Sequence, residues 1–134
     1  EEAVEMLVFT CAVESGGGTY LKQIKGPALG IYQMEPATYN DIWTNFIAHR
    51  QNLKLQLIHN FNAPFMQDDY RLVYDLRYAT AMARIFYERI NELFPAITFE
   101  GMWDYYKRHY NTSKGKAEEG KASRDYAAFL QARL

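Results

Sequence analysis

The first helix of this chain is encoded by residues 3–18, AVEMLVFTCAVESGGG. Over residues 3–14 apolar side chains occupy nearly every side of the helix, which is typical of a helix at the centre of a domain. The glycines at 16–18 end it, because glycine readily adopts the left-handed conformations that follow a helix C-terminus. Glu14 is thereby predicted at a helix C-terminus, where the negative end of the helix dipole raises the pKa of a carboxyl group.

The rest of the chain also has the apolar spacing of helices. Alternating strand patterns are almost absent, whereas apolar residues recur every three or four positions. The sequence therefore predicts a mainly α fold, with loops over residues 16–30 and 111–120. Further helices are predicted over residues 36–48, opened by Pro36; residues 53–60; residues 68 or 69 to about 93, capped by Asp68 or Asp69; residues 99–110; and residues 123–134.

The long predicted helix ending near residue 93 is expected to be the structural spine of the domain. Its small residues permit close helix packing, so the pattern favours core over a cofactor site. One stripe of the helix is predicted to face the core: Leu72, Leu76, Ala79, Ala83, Phe86 and Ile90.

Length and charge limit the classes of function. A chain of 134 residues with 49% hydrophobic residues has the size and composition of one globular domain, residues 1–134, and a monomer is expected. The net charge of −1, with no long block of one sign, argues against a nucleic-acid partner. No apolar run approaches the roughly 18 residues of a membrane span, and the acidic start Glu1-Glu2 is unlike a secretory signal.

The sequence predicts neither a metal site nor a cofactor. Cys11 is the single cysteine, and its apolar surroundings indicate a small buried hydrophobic residue. The three histidines are too scattered for a local metal motif. The glycines at 16–18 follow a helix and lack the Lys-Ser/Thr ending of a phosphate-binding loop.

Glu14 is expected to have the properties of a general acid, such as the one that cleavage of a glycosidic bond requires. Such a reaction needs a protonated carboxyl group at the leaving oxygen, and a lone glutamate among apolar residues remains protonated to higher pH. No other acidic residue occurs between Glu14 and Gly30. The sequence therefore offers no obvious second carboxylate of the kind a conventional glycosidase uses.

Three short motifs resemble those of lytic transglycosylases in the lysozyme-like superfamily. Residues 14–16 (ESG) match the family's Glu-Ser at a helix end, and residues 30–38 (GIYQMEPAT) match its Gly-Leu-Met-Gln segment followed by Pro-x-Thr, with Tyr32 in place of Met. Tyr110-Asn111 matches the late Tyr-Asn pair in a changed context. The motifs span residues 14–111, most of the chain.

The resemblance implies a lysozyme-like domain with a substrate cleft and peptidoglycan glycan strands as the partner. Glu14 would protonate the oxygen between N-acetylmuramic acid and N-acetylglucosamine, and would then deprotonate the muramoyl C6 hydroxyl to close a 1,6-anhydro ring. Ser15 and Gln33 would bind sugar N-acetyl or hydroxyl groups. Tyr110 would hydrogen-bond and orient Glu14, and Asn111 would support the cleft.

Each of these residues also has a structural interpretation. Glu14 is also consistent with a solvated carboxylate at the end of a helix. Ser15 is consistent with a residue that terminates the helix, and Gln33 with a side chain that hydrogen-bonds the backbone of the loop. Tyr110 fits a core ring, and Asn111 fits a turn. The joint spacing of the motifs favours the functional interpretation.

Alternative functions are a hydrolytic muramidase, a non-catalytic peptidoglycan-binding domain and a generic helical interaction module. Goose-type lysozymes, in the same superfamily, have Asp residues in the region after the catalytic glutamate. Their absence here favours a one-carboxylate mechanism. The resemblance implies action at the bacterial cell wall or periplasm, as a domain of a bacterial system, a phage virion or lysis protein, or a larger protein.

Overall fold

A computed structural model describes residues 1–62, 68–112 and 115–132. In this part of the chain, secondary structure is helical except for two isolated antiparallel bridges, Lys22 with Leu29 and Leu29 with Met34. The prediction of a mainly α fold is therefore confirmed. The helices are α1 (Glu2–Ser15), α2 (Pro36–Asn45), a 3-10 turn (Ile47–His49), α3 (Gln51–Phe61), α4 (Arg71–Tyr74), α5 (Leu76–Glu88), α6 (Phe99–Tyr106), a π-helical turn (Lys107–Asn111) and α7 (Glu119–Ala132).

Helix α1 is central, as its sequence predicts. It contacts α5, α6 and α7, and most of its second half is buried. Cys11 is buried in a hydrophobic cluster formed mainly by α5, α2 and the segment before α2. Met6 and Phe9 belong to a second cluster with α6 and α7. Because α1 contributes to both clusters, it connects the two halves of the core.

The glycines after α1 end the helix as predicted. Gly16 has a left-handed backbone (φ 60°), and its amide donates to the Ala12 carbonyl while the Gly17 amide donates to Cys11. These bonds satisfy carbonyls that the last helical turn leaves without partners.

The predicted single helix from Asp68 or Asp69 to residue 93 is wrong, because Asp75 divides it. Asp75 has an extended backbone, and its side chain accepts a hydrogen bond from the Tyr78 amide at 3.0 Å, so it caps α5. Helix α5 ends at Glu88. Leu76, in the first turn of α5, was predicted to face the core but is 53% exposed. Leu72, Ala79 and Ala83 are buried as predicted.

Other helix boundaries differ from the predictions by a few residues. Helix α2 gives way at Phe46 to the 3-10 turn, and the predicted helix over residues 99–110 becomes π-helical after Tyr106. Helix α7 begins at Glu119, four residues before the predicted start, and the predicted last residues 133–134 lie outside the described residues.

The segment between α1 and α2 is fixed against α4 at Gly30. Gly30 has φ 77°, its amide donates to the Leu21 carbonyl at 2.7 Å, and a Cβ there would collide with the Leu72 carbonyl. Only glycine satisfies both the left-handed backbone and this close approach without strain.

We expect Gly30→Ala to lower the free energy of unfolding in urea by about 1–3 kcal/mol, because the new methyl group meets the Leu72 backbone in a left-handed conformation. The matched control is Gly120→Ala in α7, where the nearest atom to a new Cβ is Arg124 Nη1 at 3.6 Å. This control should keep the parent stability or gain up to about 1 kcal/mol, because alanine favours helix. Equal unfolding midpoints for the two variants would contradict the assignment of Gly30.

Candidate active site

A cavity of about 790 Å³ lies beside the C-terminal end of α1. Its wall is built mainly by the end of α1, by the segment before α2, and by the π-helical turn with the residues that follow it, and α2, α5, α6 and α7 contribute single residues. Four of the five residues singled out in the sequence line this cavity: Glu14, Gln33, Tyr110 and Asn111. The fold thus brings together residues up to 97 positions apart in the sequence, 14 and 111.

Glu14 is half-buried, and its Oε1 accepts a hydrogen bond from the Tyr106 hydroxyl at 2.6 Å. Burial raises the pKa of Glu14 from 4.5 to about 7, although the Tyr106 hydrogen bond and the Lys107 charge act in the opposite direction. The upward direction agrees with the sequence-based expectation. Its largest cause is loss of solvation, whereas the sequence argument relied on the helix dipole.

The Tyr106 contact determines which oxygen of Glu14 titrates. Because Oε1 accepts a hydrogen bond from the Tyr106 hydroxyl, we place the acidic proton of the neutral carboxyl group on Oε2. With a pKa of about 7, both ionisation states are populated near neutral pH. A group of this kind is able to donate and to accept a proton in one reaction cycle.

Ser15 lies behind Glu14 rather than in the cavity wall. Its side chain is fully buried, and its hydroxyl lies 2.6 Å from the Ile31 carbonyl and 3.1 Å from the Cys11 carbonyl. The Gly18 amide donates to the same oxygen at 2.9 Å. The predicted contact between Ser15 and a sugar is therefore wrong for this structure. Ser15 instead joins the end of α1 to the segment before α2.

Gln33 lies in the cavity wall with a left-handed backbone, φ 47°. Its side-chain amide nitrogen donates to the Gly30 carbonyl at 2.9 Å and, at 3.4 Å, to the Tyr20 carbonyl. These bonds orient the amide, and Oε1 is the atom of this side chain that is able to accept a hydrogen bond. Gln33 thus combines the backbone role and the wall position that the sequence left as alternatives.

Tyr106, rather than Tyr110, hydrogen-bonds Glu14. The Tyr110 hydroxyl donates to the Tyr32 carbonyl at 2.6 Å. The rings of Tyr106 and Tyr110 stack with their centroids 6.0 Å apart. The prediction of Tyr110 as the direct partner is wrong because Tyr106, one helical turn earlier, lies nearer the end of α1. The four-residue spacing of the two rings signals a shared helix face, but cannot show which ring reaches α1.

Asn111, the last residue of the π-helical turn, lines the cavity, and Lys107 holds its side-chain amide by a hydrogen bond. Its Oδ1 accepts from Lys107 Nζ at 2.5 Å, and Lys107 also donates to the Gly115 carbonyl at 2.9 Å. Thr112 follows with φ 62°, which is unusual for a β-branched residue. Gln33 and Thr112 are both cavity residues with left-handed backbones, and strain of this kind is characteristic of functional sites.

A second carboxylate, Glu35, also lines the cavity. It is solvent-exposed and immediately precedes Pro36 at the start of α2. Sequence reasoning missed it because Glu35 lies beyond the loop between Glu14 and Gly30, and only the path of the chain brings it to the cavity.

No protein-family model, curated protein or solved structure matches this chain.

The described residues contain no cluster of three or more His, Cys, Asp or Glu side chains placed to hold a metal ion. No helix within residues 1–62, 68–112 and 115–132 combines the length and apolar character needed to cross a membrane.

The raised pKa of Glu14 predicts a pH-dependent stability difference. The folded state holds this proton more tightly than the unfolded state, so wild-type stability falls as pH rises from about 4.5 to 7. When the pH is raised from 4 to 9, Glu14→Gln, which cannot ionise, should gain about 3–3.5 kcal/mol of stability relative to wild type, since each of the roughly 2.5 units between the pKa values of 4.5 and 7 corresponds to about 1.4 kcal/mol. Urea unfolding at the two pH values measures the difference.

Glu92→Gln provides a control of opposite sign. Hydrogen bonds from Arg108 and His109 lower the pKa of Glu92 to about 2. Its carboxylate stabilises the fold above the unfolded-state pKa, and that contribution is lost as pH falls toward 2. Glu92→Gln should therefore lose stability relative to wild type at high pH. A gain like that of Glu14→Gln would contradict the assignment of both groups.

Proposed function

We propose that this chain is the catalytic domain of a peptidoglycan lytic transglycosylase with a lysozyme-like arrangement of helices. The observation that carries the proposal is Glu14 in the cavity wall, with its pKa near 7 and with Tyr106 donating to Oε1. The motif resemblance around Glu14, residues 30–38 and Tyr110-Asn111 supplies the substrate class. The cavity of about 790 Å³ lies within the roughly 300–1,000 Å³ usual for ligand sites.

In the first step neutral Glu14 donates the proton on Oε2 to the glycosidic oxygen between N-acetylmuramic acid and N-acetylglucosamine. The bond from muramoyl C1 to that oxygen breaks, and the muramoyl acetamide oxygen stabilises C1 from within the substrate. Glu14 becomes a carboxylate, and the Tyr106 hydrogen bond and the Lys107 charge favour this charged form.

In the second step the Glu14 carboxylate removes the proton of the muramoyl C6 hydroxyl. The C6 oxygen attacks C1, which forms the 1,6-anhydro ring and releases the acetamide. The proton has moved from the C6 oxygen to the leaving sugar by way of Glu14, and no water is consumed. One carboxyl group with a pKa near the working pH is sufficient for both steps.

Gln33 and Asn111 supply groups for binding the glycan beside Glu14. Gln33 Oε1 accepts from a sugar hydroxyl or acetamido N–H, and the Asn111 amide nitrogen donates to a sugar oxygen. Tyr110 acts indirectly, since its bond to the Tyr32 carbonyl holds the segment that carries Gln33. In this proposal the domain acts as a monomer on glycan strands at the bacterial cell wall.

Glu35 favours a second candidate function, a hydrolytic muramidase. An exposed carboxylate in the same cavity as Glu14 meets one requirement for activating water across a scissile bond. The transglycosylase is preferred because it needs only Glu14, which has the hydrogen-bond partner and the altered pKa. A non-catalytic glycan-binding domain would need neither.

Mass analysis of the muropeptides released from purified peptidoglycan tests the proposal. Wild type should release 1,6-anhydro-muramoyl products, and Glu14→Gln should reduce their rate at least about 100-fold, because it keeps the shape of the side chain but cannot transfer a proton. Activity of the wild type should fall as pH rises through about 7, where Glu14 loses its proton.

Glu35→Gln is the matched carboxylate control and should retain anhydro products. Reducing ends from wild type, lost in Glu35→Gln, would replace the proposal by a muramidase. Binding to peptidoglycan without any cleavage would replace it by a binding domain.

A further inference from the structure

We propose that a second cavity, formed by α6 and the π-helical turn, binds one saccharide unit of a glycan strand whose neighbouring units occupy the cavity beside Glu14. The choice of a β-1,4-linked N-acetylhexosamine strand as the glycan rests on the function proposed above. The chemistry of the second cavity does not depend on that function, because Glu14 does not line it.

The second cavity has a volume of about 440 Å³, which lies within the roughly 300–1,000 Å³ usual for ligand sites. It shares the exposed Thr112 with the cavity beside Glu14, so the two cavities are adjacent at the residue that follows the π-helical turn. The residues that line the second cavity are Trp103, Asp104, Lys107, Arg108 and Thr112.

Trp103 supplies an aromatic ring to the second cavity. The ring is half-buried, and its plane is fixed by packing on Phe99 and Tyr106, with centroids 6.5 and 5.7 Å away. Trp43, by contrast, is 7% exposed and donates its indole N–H to the Tyr78 hydroxyl. Among the described residues no acceptor is paired with the indole N–H of Trp103. A fixed ring with an available donor suits a sugar, whose C–H groups pack on the ring while its hydroxyls bond to polar groups.

An ion pair next to Trp103 supplies fixed hydrogen-bonding groups. Arg108 Nε donates to Asp104 Oδ2 at 2.8 Å, and the two terminal nitrogens of Arg108 donate to Glu92 at 2.7 and 2.9 Å. Both partners keep further capacity, because a guanidinium has five N–H donors and a carboxylate accepts at two oxygens. A hydroxyl both donates and accepts, so this pair complements neighbouring hydroxyls of a sugar ring.

The charges around the second cavity cancel, which favours a neutral ligand over an anion. Lys107 and Arg108 are two cations, and the Lys107 ammonium already donates to two oxygens of the protein. Asp104 and Glu92 are two anions, and both accept from Arg108. The described lining thus offers no cation that is without a partner to a carboxylate ligand such as a peptide stem.

The π-helical turn separates the two cavities. Tyr110 and Asn111 line the cavity beside Glu14, whereas Lys107 and Arg108 line the second one. A strand that passes over Thr112 therefore contacts both sides of the turn. Because linked binding at two sites is stronger than binding at either site alone, the second cavity should favour long strands over short ones.

The first measurement is an NMR titration of the two indole N–H signals with hexa-N-acetylchitohexaose, a neutral β-1,4-linked glycan. Glu14→Gln protein is used so that the glycan is not cleaved, and the signal missing from Trp103→Phe belongs to Trp103. The Trp103 signal should shift, whereas the signal of the buried Trp43 should stay in place. No shift of Trp103 at up to about 10 mM sugar, enough to populate sites with millimolar Kd values, would overturn the proposal.

Asp104→Ala distinguishes direct contact from a change transmitted to Trp103 through Tyr106. Asp104 is 65% exposed and lines only the second cavity, so its loss should weaken hexasaccharide binding, measured by calorimetry, about 3-fold or more. Asp41→Ala is the matched control, because Asp41 is an exposed acid that pairs with Arg89 and lines neither cavity. Equal affinities of Asp104→Ala and Asp41→Ala would mean that the second cavity does not hold the sugar.

Trp103→Ala tests the dependence on strand length. The preference for the hexasaccharide over the disaccharide should fall about 5-fold or more, because the ring contributes only where the strand reaches both cavities. An unchanged preference would contradict the proposal. A stem tetrapeptide that shifts the Trp103 signal when the hexasaccharide does not would assign the cavity to anions instead. Urea unfolding of each variant checks that the fold is retained.

The titration and the muropeptide assay fail independently. A glycan that contacts Trp103 without being cleaved by wild type would keep the second cavity and reject the transglycosylase. Anhydro products without a Trp103 shift would do the reverse. If both proposals hold, Asp104→Ala should raise KM for long glycan strands and leave kcat unchanged.

Discussion

The partial burial of Glu14 is the constraint on which the site depends. A carboxylate buried without partners is costly, and proteins avoid that cost by neutralising the group or by supplying donors. This structure does both, because the pKa rises to about 7 and Tyr106 donates to one oxygen. The result is a group whose two ionisation states differ little in free energy near neutral pH.

The segment before α2 is held in a fixed position relative to the end of α1 by contacts on several sides. Ser15 joins α1 to the Ile31 carbonyl, and Gly30 allows the same segment to approach the Leu72 backbone. Tyr110 holds this segment from the other side through the Tyr32 carbonyl. The two sequence motifs, residues 14–16 and 30–38, are therefore physically connected through direct contacts within the protein.

Burial destabilises the folded protein when Glu14 is charged. Under the proposed reaction, the same burial gives Glu14 the raised pKa that a general acid needs. Full solvation of Glu14 would make it a weak acid catalyst at neutral pH, whereas burial without Tyr106 and Lys107 would leave it a poor base. The opposing contributions of burial and of these two partners hold the pKa between those limits. Destabilised groups of this kind are a recurrent cost of active sites.

The sequence by itself determined the mainly α fold, the central helix α1, its glycine stop and the position of Glu14 at its end. These features depend on apolar spacing and capping within a few residues, which local sequence records. The break at Asp75 is also a local capping event, but the apolar periodicity on both sides of it concealed it.

Only the tertiary structure decided which groups surround Glu14. Glu14 and Tyr106 are 92 residues apart, and the packing of α6 on α1 places Tyr106 rather than Tyr110 at the carboxyl group. The same packing buries Ser15, and the chain path brings Glu35 to the cavity. Helical periodicity specifies which residues share a face, whereas the position of each residue along that face relative to another helix is set by how the two helices cross and pack.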